Sequence, residues 1–277
     1  MSHAIQVYEQ GEPEVMRWEK VPEVQPKPGE ARLRQTAVGL NYIDIYQRSG
    51  SYKLSLPARI GMEGVGVVDA VGEGVDTVKV GDRVGYVMGP PGSYAEQRVY
   101  PAERLIPLPD DINDIQAAGM LLKGLTVSYL IRRTYKVKAG EIALVHAAAG
   151  GVGLIACQWL KRMGVTVIGT VGCDKKAELA RAHGCDHPVV YSRDNFATSV
   201  MELTGGEGVP VVYDSIGNAT FPASLDCLRP RGLFVSYGNA SGPIPPMNPG
   251  ILMAKGSLMM TRPSLPHYTA TRKDLEA

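Results

Sequence analysis

The stretch Ala148-Ala149-Gly150-Gly151-Val152-Gly153 has the residue types and spacing that most directly imply chemistry in this chain. It follows an apolar run, Ile142 to Val145, and leads into an amphipathic segment, Val152 to Met163, which reads as strand, tight turn and helix. With Ala148 in the first place, the small residues fall at the Gly-x-Gly-x-x-Gly spacing of a dinucleotide-binding turn. Small residues let the backbone approach a diphosphate, and free N–H groups at the helix start then hydrogen-bond its oxygens. An ordinary strand-to-helix turn has the same local form, so the motif needs support from what surrounds it.

The next strand bears on which nucleotide is held. It ends Ile168-Gly169-Thr170-Val171-Gly172-Cys173, without the acidic tip that bonds ribose hydroxyls in NAD sites. Asp174 comes just beyond and is expected to N-cap the following helix. Lys176 falls in that helix's first turn, where a cation opposes the helix dipole unless an anion is bound nearby. The 2′-phosphate of NADP is such an anion, and Tyr191, closing the third strand, can add a hydroxyl donor. A solvated surface lysine is the alternative for Lys176. Ser236-Tyr237-Gly238-Asn239 follows the fifth strand, at the ligand-binding edge of such a sheet. There Gly238 either admits the nicotinamide ribose or makes an ordinary turn.

The elements that must position these residues alternate from Glu141 onward. Strands are expected at Ile142–Val145, Thr166–Val171, Pro188–Tyr191, Val209–Asp214, Leu233–Tyr237 and Leu258–Thr261, with helices at Val152–Met163, Lys175–His183, Phe196–Leu203 and Thr220–Leu228. This is the rhythm of an α/β, doubly wound parallel six-stranded Rossmann sheet in the order 3-2-1-4-5-6. Residues 1 to about 125 are punctuated differently, by Gly and Pro between short β-like runs such as Ala31–Leu40, Gly64–Val71, Gly81–Val87 and Ser93–Tyr100. They suggest a small, strongly curved, barrel-like domain. Two helices, Ile112–Leu122 and Thr126–Arg133, are expected to lead to the first Rossmann strand.

Composition narrows the class. Of 277 residues 44% are apolar and 21% charged, which suits a globular protein with a real core, and the net charge of +1 carries no basic excess for nucleic acid. Cys157, Cys173, Cys185 and Cys227 form no C-x-x-C pair, so a reducing compartment suits them. The N-terminal residues do not read as a signal peptide, and no apolar run reaches membrane-spanning length. A cytoplasmic protein is expected. His146 reads as a satisfied core histidine and Cys157 as buried and inert, while Asp44 and Glu63 give no reason to expect a carboxylate pair.

Taken together, several segments resemble the NADPH-dependent quinone oxidoreductases, the zeta-crystallin-like, zinc-free branch of the medium-chain dehydrogenase/reductases, in their bacterial type. They are Asn41-Tyr42-Ile43-Asp44-Ile45-Tyr46-Gln47-Arg48-Ser49-Gly50, Leu122-Lys123-Gly124-Leu125-Thr126, His146 to Gly153, Val212-Tyr213-Asp214-Ser215-Ile216-Gly217, and Gly256-Ser257-Leu258 with Thr261-Arg262-Pro263-Ser264-Leu265. The resemblance covers the whole chain. It implies a GroES-like catalytic domain over 1–125, rejoined by 263–277, and a Rossmann domain over 126–262. The family pattern continues past Ala277 with a further helix and strand, so the C-terminal part of the catalytic domain is expected to be missing and a sheet edge left open.

The zinc enzymes of that superfamily need Cys and His ligands in the first domain. This half holds no cysteine and a single histidine, His3, and the Gly-His-Glu signature reads Gly61-Met62-Glu63. No zinc is expected, and hydride should pass to an acceptor that is already electrophilic, a quinone, with an enone or 2-alkenal as the alternative. A crystallin-like structural or RNA-binding role is the reading from another class.

The resemblance places Asn41, Tyr46 and Tyr52 in the cleft between domains as catalytic donors. Local roles are also open to them, Asn41 as a helix cap and the tyrosines as packing residues. It assigns cofactor contacts to Asn41, Tyr52, Thr126, Ala149, Gly150, Gly151, Val152, Gly153, Gly172, Lys176, Tyr191, Tyr237, Gly238 and Asn239. Thr126 is read as opening a helix, and Arg262 either faces the cleft or makes a surface ion pair. A homodimer paired along the sixth strand completes the expectation.

Overall fold

Uninterrupted apolar runs closed by glycine or acidic turns build the largest of the three sheets, because parallel strands are covered on both faces. The computed structural model describes residues 1–276. It divides into two compact units, Met1–Leu122 with the segment from Thr269 onward, and Lys123–Tyr268.

The first unit contains β1 (Ser2–Val7), β2 (Arg17–Val21), β3 (Glu30–Gly39), α1 (Tyr42–Ser49), β4 (Ala58–Arg59), β5 (Glu63–Val71), β6 (Arg83–Val87), β7 (Gln97–Pro101) and β8 (Ile106–Pro107). These strands form a three-stranded sheet, β2-β1-β4, and a five-stranded sheet, β7-β3-β5-β6-β8. Every pairing is antiparallel. The long β3–β5 pair slips register between Arg32 and Leu33 and again between Gln35 and Ala37. Such irregularities bend a strand and tighten its twist, as a small curved sheet requires. One face buries Leu33, Val68, Val84, Tyr86, Tyr100 and Leu105.

Sequence spacing suggests two helices after this sheet, but the structure has one, α2 (Asp114–Tyr129), which runs on into a wider turn, Leu130–Thr134. A Cβ added at Gly124 would meet nothing within 4 Å. The glycine there lowers helix propensity without needing a break, and the helix continues through it.

The second unit alternates β9 (Ile142–Val145), α3 (Gly151–Arg162), β10 (Thr166–Val171), α4 (Asp174–Ala182), β11 (His187–Val190), α5 (Phe196–Leu203), β12 (Val209–Asp214), α6 (Ala223–Asp226), β13 (Leu228–Ser236), α7 (Gly250–Ala254), β14 (Met259–Thr261) and α8 (Leu265–Tyr268). Its six strands lie in the order β11-β10-β9-β12-β13-β14, all parallel. This is the expected 3-2-1-4-5-6 winding. Leu144, Ile168, Val189, Val212 and Phe234 fill the core with Val200 and Leu225 from the covering helices. The helix expected over Thr220–Leu228 is only α6, because Pro222 has no N–H to donate and the Thr220 hydroxyl is committed to Asp214. A last helix, α9 (Arg272–Glu276), belongs to the first unit, where Arg272 donates to the carbonyls of Glu103 and Leu105 at 3.0 and 2.6 Å.

Candidate functional site

The turn after β9 is shaped for an anion. Ala147 adopts a left-handed backbone, φ 53°, and its carbonyl accepts the Gly150 N–H at 2.8 Å. Gly150 caps α3 with no side chain to offer, and no acidic residue stands in the first turn. The N–H groups and the dipole of the helix start are thus available to a diphosphate. A Cβ on Gly153 would strike the Ala147 carbonyl and sit 2.7 Å from the Ala148 Cα, so α3 packs directly on the turn. At Gly151 a Cβ would meet only the Lys123 side chain, at 2.9 Å. Ala148 fits in the first glycine's place because Gly169 on β10 gives way. A Cβ there would lie 2.5 Å from that of Ala148.

Around the tip of β10 the structure brings Gly172 and Tyr191 together, since a Cβ on Gly172 would lie 3.0 Å from the tyrosine hydroxyl. Lys176 is exposed in the first turn of α4. Asp174, expected as the cap of that helix, is not the cap. Cys173, in extended conformation, holds the cap position, and Asp174 is already helical with its carboxylate accepting from Arg193 Nη1 at 3.2 Å. Sequence reasoning missed Arg193, whose only signal is its place two residues after Tyr191. Its charge, shared with Asp194, offsets part of that of Asp174, two residues before Lys176.

Past β12 and β13 two turns rest on each other. Asp214 Oδ1 accepts from the N–H groups of Ile216 and Gly217 at 2.7 and 2.9 Å. A Cβ on Gly238 would lie 2.5 Å from the Ser215 carbonyl oxygen. Tyr237 N–H donates to the Asp214 carbonyl at 2.7 Å. Arg262 is turned inward, donating to Ser236 Oγ at 3.1 Å and to the Gly238 carbonyl at 3.0 Å. It therefore braces the turn that holds Tyr237, Gly238 and Asn239. Thr126 does not open a helix, as expected from sequence. It lies buried within α2, because that helix is continuous.

In the first unit Asn41 is the N-cap of α1, and its own N–H is accepted by Asp44 at 2.9 Å. Asp44 also accepts from Tyr94 at 2.8 Å, and burial together with this carboxylate pushes the Tyr94 phenol well above its usual range. The Asn41 amide does more than cap. Its Nδ2 donates to Glu63 Oε2 at 2.7 Å, while Glu63 Oε1 accepts the Leu122 N–H at 2.7 Å. Glu63 is fully buried, and Gly39, its partner across β3 and β5, leaves the space its carboxylate occupies. Glu63 was missed as a site residue. Its signal was the third place of Gly61-Met62-Glu63. Tyr46 and Tyr52 come together, rings 5.1 Å apart, with the Tyr52 N–H on the Tyr46 carbonyl at 2.8 Å. Tyr42 extends this face at 5.8 Å from Tyr46.

Among the described residues no three His, Cys, Asp or Glu side chains gather as a metal-holding group, and no helix is long and apolar enough to cross a membrane. A doubly wound parallel sheet with an uncapped, glycine-built helix start after its first strand, in one chain with a curved antiparallel unit, is the combination of a nucleotide-dependent oxidoreductase class.

Comparison with known proteins agrees. Residues 151–268 match the zinc-binding dehydrogenase family and residues 27–110 the alcohol dehydrogenase GroES-like domain. The chain is 52% identical over 278 residues to a quinone oxidoreductase of Pseudomonas aeruginosa, covering 100% of this chain and 86% of the relative. It is 46% identical to a 2-haloacrylate reductase of a Burkholderia species, covering 100% and 85%. The crystal structure of Escherichia coli quinone oxidoreductase complexed with NADPH superposes with a TM-score of 0.98 at 46% identity, covering 99% and 84%. The chain belongs to the quinone oxidoreductase branch of the medium-chain dehydrogenase/reductase family.

Proposed function

We propose that this protein is an NADPH:quinone oxidoreductase that needs no metal. The observation that carries the reading is the uncapped, acid-free, glycine-built start of α3 behind the Ala148–Gly153 turn. The residues fit NADPH: the turn with Ala149 to Gly153 takes the diphosphate, Gly172, Lys176 and Tyr191 the phosphorylated ribose, and Thr126, Tyr237, Gly238 and Asn239 the nicotinamide end. When bound, NADPH supplies the hydride. Asn41, held by Glu63, would orient the nicotinamide and the acceptor, and Tyr52 would add a further contact to the cofactor. The Tyr46 and Tyr52 hydroxyls donate to the oxygen on which negative charge develops. A quinone delocalises that charge itself, so a few aligned donors suffice without a Lewis acid. An activated alkene is the second acceptor class, favoured by the likeness to a 2-haloacrylate reductase.

The same reading assigns acceptor chemistry to the first unit and nucleotide binding to the second. It places the protein in the cytoplasm, in keeping with its four unpaired cysteines. It also pairs two copies along β14, the sheet's edge strand, where Met259 is exposed. The test is steady-state NADPH consumption against a panel of quinones and enones. NADPH loss that depends on the quinone supports the reading, and binding of NADPH without acceptor-dependent oxidation overturns it.

A further inference from the structure

His146 stands just past β9, fully buried, and its ring touches the two strands on either side. Nδ1 lies 2.9 Å from the hydroxyl of Thr170 on β10, and Nε2 lies 2.9 Å from the hydroxyl of Ser224 on α6. Ser224 in turn lies 3.0 Å from the Thr220 carbonyl and 3.4 Å from Oδ2 of Asp214, the last residue of β12. Phe196 packs against the ring at 5.0 Å, nearly perpendicular.

The hydrogens can be assigned. Ser224 has one proton, and its partners at Thr220 and Asp214 only accept. With that proton on the Thr220 carbonyl, the Ser224 oxygen accepts from His146 Nε2, and a proton there rather than a lone pair also suits the Asp214 Oδ2 that lies 3.8 Å from it. Nδ1 is then an acceptor, filled by the Thr170 hydroxyl. The chain runs in one direction, Thr170 to His146 to Ser224 to the Thr220 carbonyl and Asp214. Burial lowers the histidine's pKa, which agrees with a neutral ring. The Asp214 charge is met by the N–H groups of Ile216 and Gly217 and by the Thr220 hydroxyl at 2.6 Å. This is not a nucleophilic triad. Asp214 faces Nε2, its Oδ2 3.8 Å away, rather than Nδ1, and all three side chains are sealed from solvent.

Three loops leave the strand ends that this chain ties together. The loop after β9 carries the diphosphate turn, the one after β10 carries Gly172, and the one after β12 carries Ser215, on which Gly238 rests. We propose that His146, in its neutral Nε2–H form, is a positioning residue that sets the spacing of these three loops and so the affinity for the nucleotide. The proposal rests on the NADPH reading above. It concerns how the cradle is held, not whether it binds.

The experiment measures the NADPH dissociation constant by nicotinamide fluorescence, with the urea midpoint of each variant alongside. Thr170→Val keeps the shape and removes the proton that feeds Nδ1, and Thr170→Ser keeps the hydroxyl. Thr170→Val should weaken NADPH roughly 5- to 10-fold, the size of one buried hydrogen bond, and Thr170→Ser should restore most of that. Adding Ser224→Ala to Thr170→Val should cost less than the product of the single effects, since both act on one ring. A Thr170→Val protein with a lower urea midpoint but unchanged NADPH affinity would overturn the proposal and leave the network purely structural. Wild-type protein that binds no NADPH would sink the cofactor reading, and this inference with it.

Discussion

Gly151 and Gly153 stand two residues apart in one turn, yet the structure separates what they do. At Gly153 an alanine methyl would meet backbone on three sides: the Ala147 carbonyl, and the Cα and carbonyl oxygen of Ala148 at 2.7 Å. Opening 2.7 Å to an ordinary contact at 3.4 Å requires α3 or the turn to move by at least 3.4 − 2.7 = 0.7 Å, and by more from the Ala147 carbonyl, which is nearer still. Overpacking against backbone costs about 1–3 kcal/mol, and the gain in helix propensity from Gly to Ala returns about 1 kcal/mol at most. With three backbone atoms this close the cost falls at the upper end, so Gly153→Ala should lower stability by about 2 kcal/mol. At Gly151 the methyl meets only the end of a flexible lysine, Lys123, which can turn aside. Gly151→Ala should leave stability within about 0.5 kcal/mol of wild type. It should still weaken NADPH at least about tenfold, because the methyl stands where the diphosphate approaches. Urea denaturation and nicotinamide fluorescence titration measure the two quantities independently. Wild-type NADPH affinity in Gly151→Ala, or undiminished stability in Gly153→Ala, would refute the placement of this turn.

Lys176→Ala should weaken NADPH by about 1–3 kcal/mol while leaving NADH nearly unchanged, as for one charged hydrogen bond to the 2′-phosphate; equal losses in paired titrations would remove Lys176 from that role. Glu63→Gln sets an amide N–H against either the Asn41 amide or the Leu122 N–H, so kcat/KM with a quinone should fall about 10- to 100-fold, and a wild-type value would detach Glu63 from the site. His146 is held neutral by burial, its pKa below the usual 6.5, whereas in the unfolded chain it takes a proton near that value. Protons thus favour the unfolded state, and stability falls as pH drops below about 6.5, by up to about 1.4 kcal/mol per pH unit from this residue. Urea midpoints across that range should show a shallower slope in His146→Gln, and an identical slope would refute the assignment.

Much of the second unit was legible because its signals are local. Continuous apolar runs mark β9, β10 and β12 with the bounds that the structure shows. The winding order follows from the alternation alone. The first unit was legible only in part. β1, β2, β4 and β8 are short strands, β4 meets β1 from far away in sequence, as when Val7 meets Ala58, and no periodicity announces such a pairing. The site divides in the same way. The turn before α3 and the place of Lys176 in the first turn of α4 can be read along the chain. Glu63 cannot, because its role depends on the register that sets it opposite Gly39, and Arg193 matters only through a side chain folded back onto Asp174. Lys123-Gly124 looked like a break between helices, although nothing in the fold requires one there.

The pairing of Ala148 with Gly169 changes how such a motif should be recognised. Smallness at this spot belongs to the gap between two neighbouring strands, not to either stretch of chain. A residue that lacks the familiar glycine on one strand is compensated by a glycine on the next, and the Cys185 sulfur, which would lie 2.6 Å from any methyl at 169, closes the remaining space. Nucleotide turns of this kind are thus patterns in two dimensions. A linear search sees half of them, and Gly169 should resist substitution as strictly as any glycine in the loop itself.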